Sequence, residues 1–241
     1  MQNCVTNDNE KRMETMAKTY AIAIDGPAGA GKSTIAKRLS KELGYQYVDT
    51  GAIYRTVAYF LDLLGVSPKD ADGVSRYISE LTIQIEYDED GLQHMLMNGM
   101  DVTGEIRTQD ISQKASLVSA HPEVREMLLD MQRDVAKSYN VIMDGRDIGT
   151  VVLPKADVKI FLTATPEVRA KRRTDELLAK GQKADYDTIL KEIQQRDYQD
   201  THRPIAPLKM AKDSVKVDTS DMDVDAVITA IREIIAKKVP V

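Results

Sequence analysis

The chain has 241 residues, 42% hydrophobic and 29% charged, an ordinary globular balance for one large domain or a core with insertions. A net charge of −5 argues against a protein built to coat nucleic acid, and no apolar run approaches the roughly 20 residues that span a bilayer. One cysteine, Cys4, excludes an intrachain disulfide and fits a reducing, cytoplasmic setting.

Residues 1–18 are polar, lack the apolar segment of a secretory signal and read as a disordered tail, with Met13 and Met16 as alternative translation starts. The remainder, 19–241, reads as one domain. Residues 20–25 form a short apolar run stopped by Gly26 and Pro27, a buried strand entering a glycine loop. The stretch 33–43 carries helical periodicity through Ile35, Ala36, Leu39 and Leu43, with Gly44 placed to end it. A second strand is predicted at 47–49 and a helix at 52–64, closed by Gly65. Leu81, Ile83 and Ile85 then alternate with polar residues, and 92–97 is strand-like up to Asn98-Gly99, a strong hairpin signal. This predicts a small antiparallel sheet inside an otherwise alternating α/β chain, followed by a helical stretch, 109–136, divided by Pro122.

Core strands are predicted again at 141–144 and 158–162. Thr165-Pro166 supplies a helix N-cap and a proline at the first position, with Gly181 at the far end. A charged helix at 186–202, a strand at 215–217 and a final amphipathic helix complete the chain. Ser220 is the expected cap of that last helix, with Val224, Val227, Ile228, Ile231 and Ile235 facing inward. The fold class is therefore α/β, a parallel sheet covered by helices on both faces, carrying a small antiparallel insert.

Gly26-Pro27-Ala28-Gly29-Ala30-Gly31-Lys32-Ser33 matches G-x-x-x-x-G-K-[ST] throughout. Such a loop lets backbone N–H groups converge on phosphate oxygens, and the following helix points its positive end at the same anion. Lys32 is then the charge on the β- and γ-phosphates of ATP, and Ser33 a ligand of Mg²⁺. Asp144, ending an apolar strand, is the candidate acid for holding Mg²⁺, in part through water. His94, His121 and His202 are scattered and share no ligand spacing, so no metal site built by protein side chains alone is expected.

Arg55, Arg107, Arg146, Arg172, Arg173, Arg196 and Arg203 lie beside turns and acids. Transfer between two anions needs groups of this kind to neutralise charge. By spacing alone, Arg196 and Arg203 read as a solvated helix face with an Arg196–Asp200 i,i+4 pair, and Lys171-Arg172-Arg173 as surface charge. A hydroxyl acceptor wants a general base, whereas a phosphate acceptor is already ionised. An arginine-rich, histidine-poor set leans toward the phosphate acceptor.

Six segments together carry a resemblance to the bacterial cytidylate kinases. They are residues 24–33, 49–55 (Asp-Thr-Gly-Ala-Ile-Tyr-Arg), 103–107 (Thr-Gly-Glu-Ile-Arg), 144–150 (Asp-Gly-Arg-Asp-Ile-Gly-Thr), 196–197 (Arg-Asp) and 203–208 (Arg-Pro-Ile-Ala-Pro-Leu). The resemblance covers nearly the whole chain from Tyr20 onward and implies phosphoryl transfer from ATP to CMP or dCMP, with Mg²⁺. It implies a monophosphate-binding insert at about 66–136 and a lid at about 166–203. It adds Thr34 to the ATP loop, puts Thr50, Tyr54, Arg55 and Arg107 around the monophosphate, and has Ser116, Arg125 and Asp147 read the cytosine edge. Arg146, Arg196 and Arg203 would hold the acceptor phosphate, Asp200 the sugar hydroxyls, and Arg172 and Arg173 would close on ATP. Lys32, Arg146, Arg172 and Arg196 would be the catalytic charges. Thr50 stands where some relatives carry Ser, and Ser33-Thr34 where some carry Gly-Thr; both keep the hydroxyl chemistry. The expected partners are small molecules only, with no nucleic acid or membrane, and the expected state is a monomer. Rival readings are another small-molecule P-loop kinase, such as a shikimate-type enzyme, and a regulatory GTPase. The chain has no Asn-Lys-x-Asp motif to support the latter.

Overall fold

The computed structural model describes residues 18–240; the expectations for residues 1–17, including Cys4, Met13 and Met16, lie outside the described residues. In chain order the first elements are β1 (Ala21–Asp25), α1 (Lys32–Leu43), β2 (Gln46–Asp49) and α2 (Thr50–Leu63). Next come α3 (Ala71–Ile78), β3 (Ile83–Tyr87), β4 (Gln93–Met97), β5 (Met100–Asp101), α4 (Gln109–Val118) and α5 (Pro122–Ser138). The chain finishes with β6 (Val141–Gly145), β7 (Val158–Thr163), α6 (Pro166–Ala179), α7 (Tyr186–His202), β8 (Val215–Asp218) and α8 (Val224–Ala236).

The main sheet has the order β2-β6-β1-β7-β8, with every pairing parallel. The central strands β1 and β6 are buried on both faces, as a sheet covered twice requires, and the period of two sorts the side chains into two cores. Ile22, Ile24, Ile142, Val158, Ile160 and Leu162 pack with α1 and α8 on one face. Ala23, Val48, Val141 and Met143 pack with α2, α4 and α5 on the other. The second core continues without a break into Met95 and Met97 of β4, so the small antiparallel sheet β3-β4-β5 shares its apolar interior with the main one. Asn98 and Gly99 turn β4 into β5 with φ of 48° and 83°, the left-handed pair that the Asn-Gly signal predicts.

Several expectations need correction. The second helix starts two residues early, because Asp49 caps it by accepting from the Ala52 N–H. α3 was not anticipated; Asp70 caps it, accepting from Gly73, and Val74 and Ile78 bury one face. Ser220 does not cap α8. Asp223 does, accepting from Ala226, while the Ser220 hydroxyl donates to Asp218 and accepts from the Thr165 N–H. Val224 sits in the first turn of α8 and is exposed rather than inward. After β6, residues Ile148–Val152 wind into a single π-helical turn.

Candidate active site

The loop predicted to hold phosphate leaves the C-terminal end of β1, where parallel α/β sheets place their ligands. Gly26 has φ 151°, and a Cβ there would stand 1.9 Å from the Leu162 carbonyl oxygen, so glycine is required. Gly29 and Gly31 follow with φ of 75° and 88°, which glycine adopts without the Cβ penalty. α1 opens at Lys32, so its N-terminal dipole faces the loop. Lys32 Nζ donates to the Pro27 carbonyl at 2.8 Å, inside the loop's own curl. Burial, followed by the neighbouring charge of Arg146, brings the Lys32 ammonium down to about 7.

Beside Lys32, the Ser33 hydroxyl donates to Asp144 Oδ2 at 3.0 Å and the Tyr47 phenol to Asp144 Oδ1 at 2.8 Å. Burial, and then Asp49, push Asp144 up to about 6. Among the described residues no cluster of three His, Cys, Asp or Glu could ligate a metal by itself. A hydroxyl and a buried carboxylate, both hard oxygen donors, fit Mg²⁺, which keeps waters and phosphate oxygens for its remaining positions.

Arg55, Arg146, Arg196 and Arg203 converge on the same cleft, whereas Arg125 reaches Asp147 without itself lining it. Arg55 Nη2 pairs with Asp49 at 2.9 Å. Arg146 Nε donates to Asp200 Oδ2 at 2.8 Å, and the Ser116 hydroxyl donates to the other oxygen of Asp200 at 3.2 Å. Burial disfavours the Asp200 carboxylate, but Arg146 and Arg196 outweigh it and hold the group below its ordinary range. Arg125 is paired with Asp147, and its guanidinium carbon lies 5.7 Å from the centre of the Tyr54 ring. Thr50 donates to the Asp144 carbonyl at 2.8 Å.

Lys32, Ser33, Thr50, Tyr54, Arg55, Ser116, Asp144, Arg146, Asp147, Arg196, Asp200 and Arg203 line one cleft of about 230 Å³, with Ala28 and Gly29 at its edge. It opens into a groove of about 810 Å³ whose walls include Arg107 and Arg173. Those two therefore stand at the mouth. Gly26, Pro27, Ala30, Gly31 and Thr34 build the loop and the start of α1 without lining the inner cleft. Arg172 is not brought to the cleft; it donates to the hydroxyl and carbonyl of Thr219, at 3.1 and 2.6 Å. The Arg196–Asp200 pair that spacing suggests does not form, since Asp200 is engaged by Arg146.

The charge in this cleft does not balance locally. Among the described residues Arg196 makes no ion pair, and the buried Nε atoms of Arg196 and Arg55 have no acceptor. Burial, then repulsion from Arg146, lowers the Arg196 guanidinium to about 10. Buried cations without partners are costly unless an anion joins them.

Three supporting residues escaped the sequence reading. Asp25 accepts from the N–H groups of Ile148 and Gly149, both at 2.8 Å, which ties the strand before the phosphate loop to the turn carrying Asp147. Burial raises Asp25 to about 6 despite those bonds. Arg169, 2% exposed, donates to the Ala28 carbonyl at 3.0 Å and to both oxygens of Asp197, tying α6 and α7 to the loop. Ser119 ends α4 inside the cleft. An acid inside an apolar strand just before Gly26 was the one available signal, and it pointed to Asp25 alone.

The family model of the cytidylate kinases matches residues 22–237. The chain belongs to the cytidylate kinase family. A cytidylate kinase of Exiguobacterium sp. is 46% identical over 220 residues, covering 91% of this chain and 98% of the relative. One of Carboxydothermus hydrogenoformans is 48% identical over 217 residues, 90% and 97% of the two chains. One of Clostridium tetani is 45% identical over 214 residues, 89% and 92%. The match spans the phosphate loop, the antiparallel sheet, Arg196 of α7 and Arg203 after it, so the cleft as a whole lies within the matched region.

Proposed function

We propose that this protein transfers the γ-phosphoryl group of ATP to CMP or dCMP, giving ADP and CDP or dCDP. The observation that carries the reading is a set of five cations gathered with the phosphate loop around a single cleft, of which Lys32 and Arg196 make no ion pair among the described residues. Lys32, Arg55, Arg146, Arg196 and Arg203 line a space of about 230 Å³. Asp49, Asp144, Asp147 and Asp200 line the same cleft, and three of them pair with Arg55, Arg203 and Arg146, which leaves Lys32 and Arg196 to meet phosphate groups. No histidine lines the cleft to act as a general base, and an ionised phosphate acceptor needs none.

In this reading ATP takes the loop, and its terminal phosphates displace the Pro27 carbonyl from Lys32. Ser33 and Asp144 would hold Mg²⁺, and the chemistry the ion would supply there is screening of the donor's phosphate charge. Arg146, Arg196 and Arg203 hold the acceptor phosphate in line, Thr50, Tyr54 and Arg55 shape its pocket, and Arg125, Asp147 and Ser116 meet the base edge. Asp200 is aimed at the sugar while its charge keeps Arg146 oriented. Residues 66–136 form the acceptor-binding insert and residues 166–203 a lid. For Arg172 to reach ATP, closure of that lid would have to release it from Thr219. Arg173 at the groove mouth needs no such release. Water exclusion by the lid would suppress idle ATP hydrolysis.

The test is ADP release from Mg-ATP with CMP, dCMP, UMP, AMP, GMP and shikimate as acceptors. Rapid release with CMP and dCMP alone is expected and would rank the two sugars. Preference for another acceptor would overturn the base-reading roles of Ser116, Arg125 and Asp147. No acceptor-stimulated release from folded protein would overturn the kinase reading.

A further inference from the structure

At the wall of the cleft, four residues close a ring. Arg125 Nη2 donates to Asp147 Oδ2, and Arg203 Nη2 donates to Asp147 Oδ1 at 3.4 Å. Ser119 closes the other side. Its carbonyl accepts from Arg125 Nη1 at 3.3 Å, and its hydroxyl accepts from Arg203 Nη1 at 2.9 Å. That hydroxyl spends its own proton locally, on the Ser116 carbonyl at 2.8 Å, so toward Arg203 it is purely an acceptor. Ser119 is 5% exposed, and with φ of −68° and ψ of −8° it is the C-cap residue of α4.

We infer that Ser119 is a positioning residue for the acceptor site, whose hydroxyl aims Arg203 at the acceptor phosphate while its carbonyl holds the base-reading Arg125. A guanidinium is planar, and two of its nitrogens fix its plane. For Arg203 those two are Nη1 on Ser119 and Nε on the Ala206 carbonyl at 2.8 Å. The bond to Asp147 is longer and shared with a competing cation. Removing the Ser119 hydroxyl leaves Arg203 one firm anchor and frees its plane to turn. Because one residue at the end of α4 serves both arginines, the base end and the phosphate end of the acceptor pocket are held in a single rigid unit. The inference rests on the acceptor roles of Arg203 and Asp147 proposed above.

The experiment is a double-mutant cycle on the full chain with steady-state kinetics. Ser119→Ala keeps the backbone carbonyl, so Arg125 retains its bond and folding is spared. The expected result is a KM for CMP raised about fivefold, the scale of one net hydrogen bond, with the KM for ATP unchanged. Ser119→Thr keeps the hydroxyl in a backbone region open to any residue and should restore the wild-type KM. In an Arg203→Ala background, Ser119→Ala should add nothing. An unchanged CMP KM in Ser119→Ala, or the same fivefold factor in the Arg203→Ala background, overturns the positioning role. Arg203→Ala with an unchanged CMP KM would instead overturn the acceptor-site reading beneath it, and the inference with it.

Discussion

The inner cleft and the outer surface of this protein use the same ionic side chains to opposite effect. On the surface several cations are paired with acids. Arg38 meets Glu42 and Asp225, Lys171 meets Asp175, and Lys180 meets Glu176. Water screens these pairs, and such contacts are typically worth about 0–1 kcal/mol. In the cleft Arg146 and Asp200 are paired, but Arg196 is left over and Lys32 is turned onto a carbonyl. There the low dielectric makes the imbalance expensive. The proposed active site is therefore marked by charge that the fold does not neutralise, and a census of ion pairs would miss it.

Lys32→Ala breaks the comparison most sharply. It removes the cation placed on the transferring phosphate, and kcat should fall by about 10³-fold or more. Stability should hold or rise, because burial and Arg146 already disfavour the charged ammonium. Transfer near the wild-type rate would remove the loop from the mechanism. An equal effect on a surface lysine such as Lys171 would erase the distinction between the two regions.

Arg196→Gln comes next. The variant relieves repulsion with Arg146 and Arg55, so the thermal midpoint of the free protein should stay level or increase, while kcat/KM for CMP falls by about 100-fold. The added stability that CMP confers on the wild type should shrink in the variant. A variant that loses stability and activity together would mean that Arg196 serves the fold. Arg203→Ala should have a smaller and more selective effect, raising the KM for CMP by about tenfold with ATP spared. Equal loss of ATP affinity would move Arg203 to the donor side.

The parts legible in the sequence are those whose physics is local. Gly26 to Ser33 could be read because a phosphate loop is contiguous, although the steric demand on Gly26 comes from the Leu162 carbonyl on β7. The sheet and its two covers were legible because the strands 20–25, 141–144 and 158–162 are apolar without alternation. The acceptor pocket was not legible from spacing, because it is assembled across the chain. Asp200 belongs to Arg146 and not to Arg196 four residues away, and Asp147 belongs to Arg125 and Arg203. Only the family resemblance brought those residues together in advance. Ser119 and Arg169 were missed because a serine ending a helix and an arginine in a basic helix look ordinary until their partners are known. The π-helical turn after β6 depends on Asp25, more than 120 residues earlier, gripping its N–H groups.

The smallest predicted effect lies in the antiparallel sheet, where the charged groups are largely exposed. His94 on β4 hydrogen-bonds Asp101 at 2.7 Å and Asp88 at 3.3 Å, and Glu86 stands opposite it on β3. The bond to Asp101, then that to Asp88, raises the His94 imidazole above its ordinary 6.5. The folded chain therefore holds this proton more tightly than the unfolded one. The stability it contributes is fully present below pH 6.5 and is lost as pH rises through the raised value. Asp101, lowered to about 2 chiefly by Thr103 with His94 assisting, and Asp88, lowered chiefly by the Leu92 N–H, stay ionised throughout that window. Thermal midpoints of wild type and His94→Gln, compared from pH 5.5 to 8.5, should converge as pH rises, with kcat for CMP the same in both. The gap should be small, because both partners are exposed to solvent. A gap that widens with pH would reverse the sign assigned here. A change in kcat would mean that the small sheet senses charge as the cleft does, and the contrast between the two regions would fail.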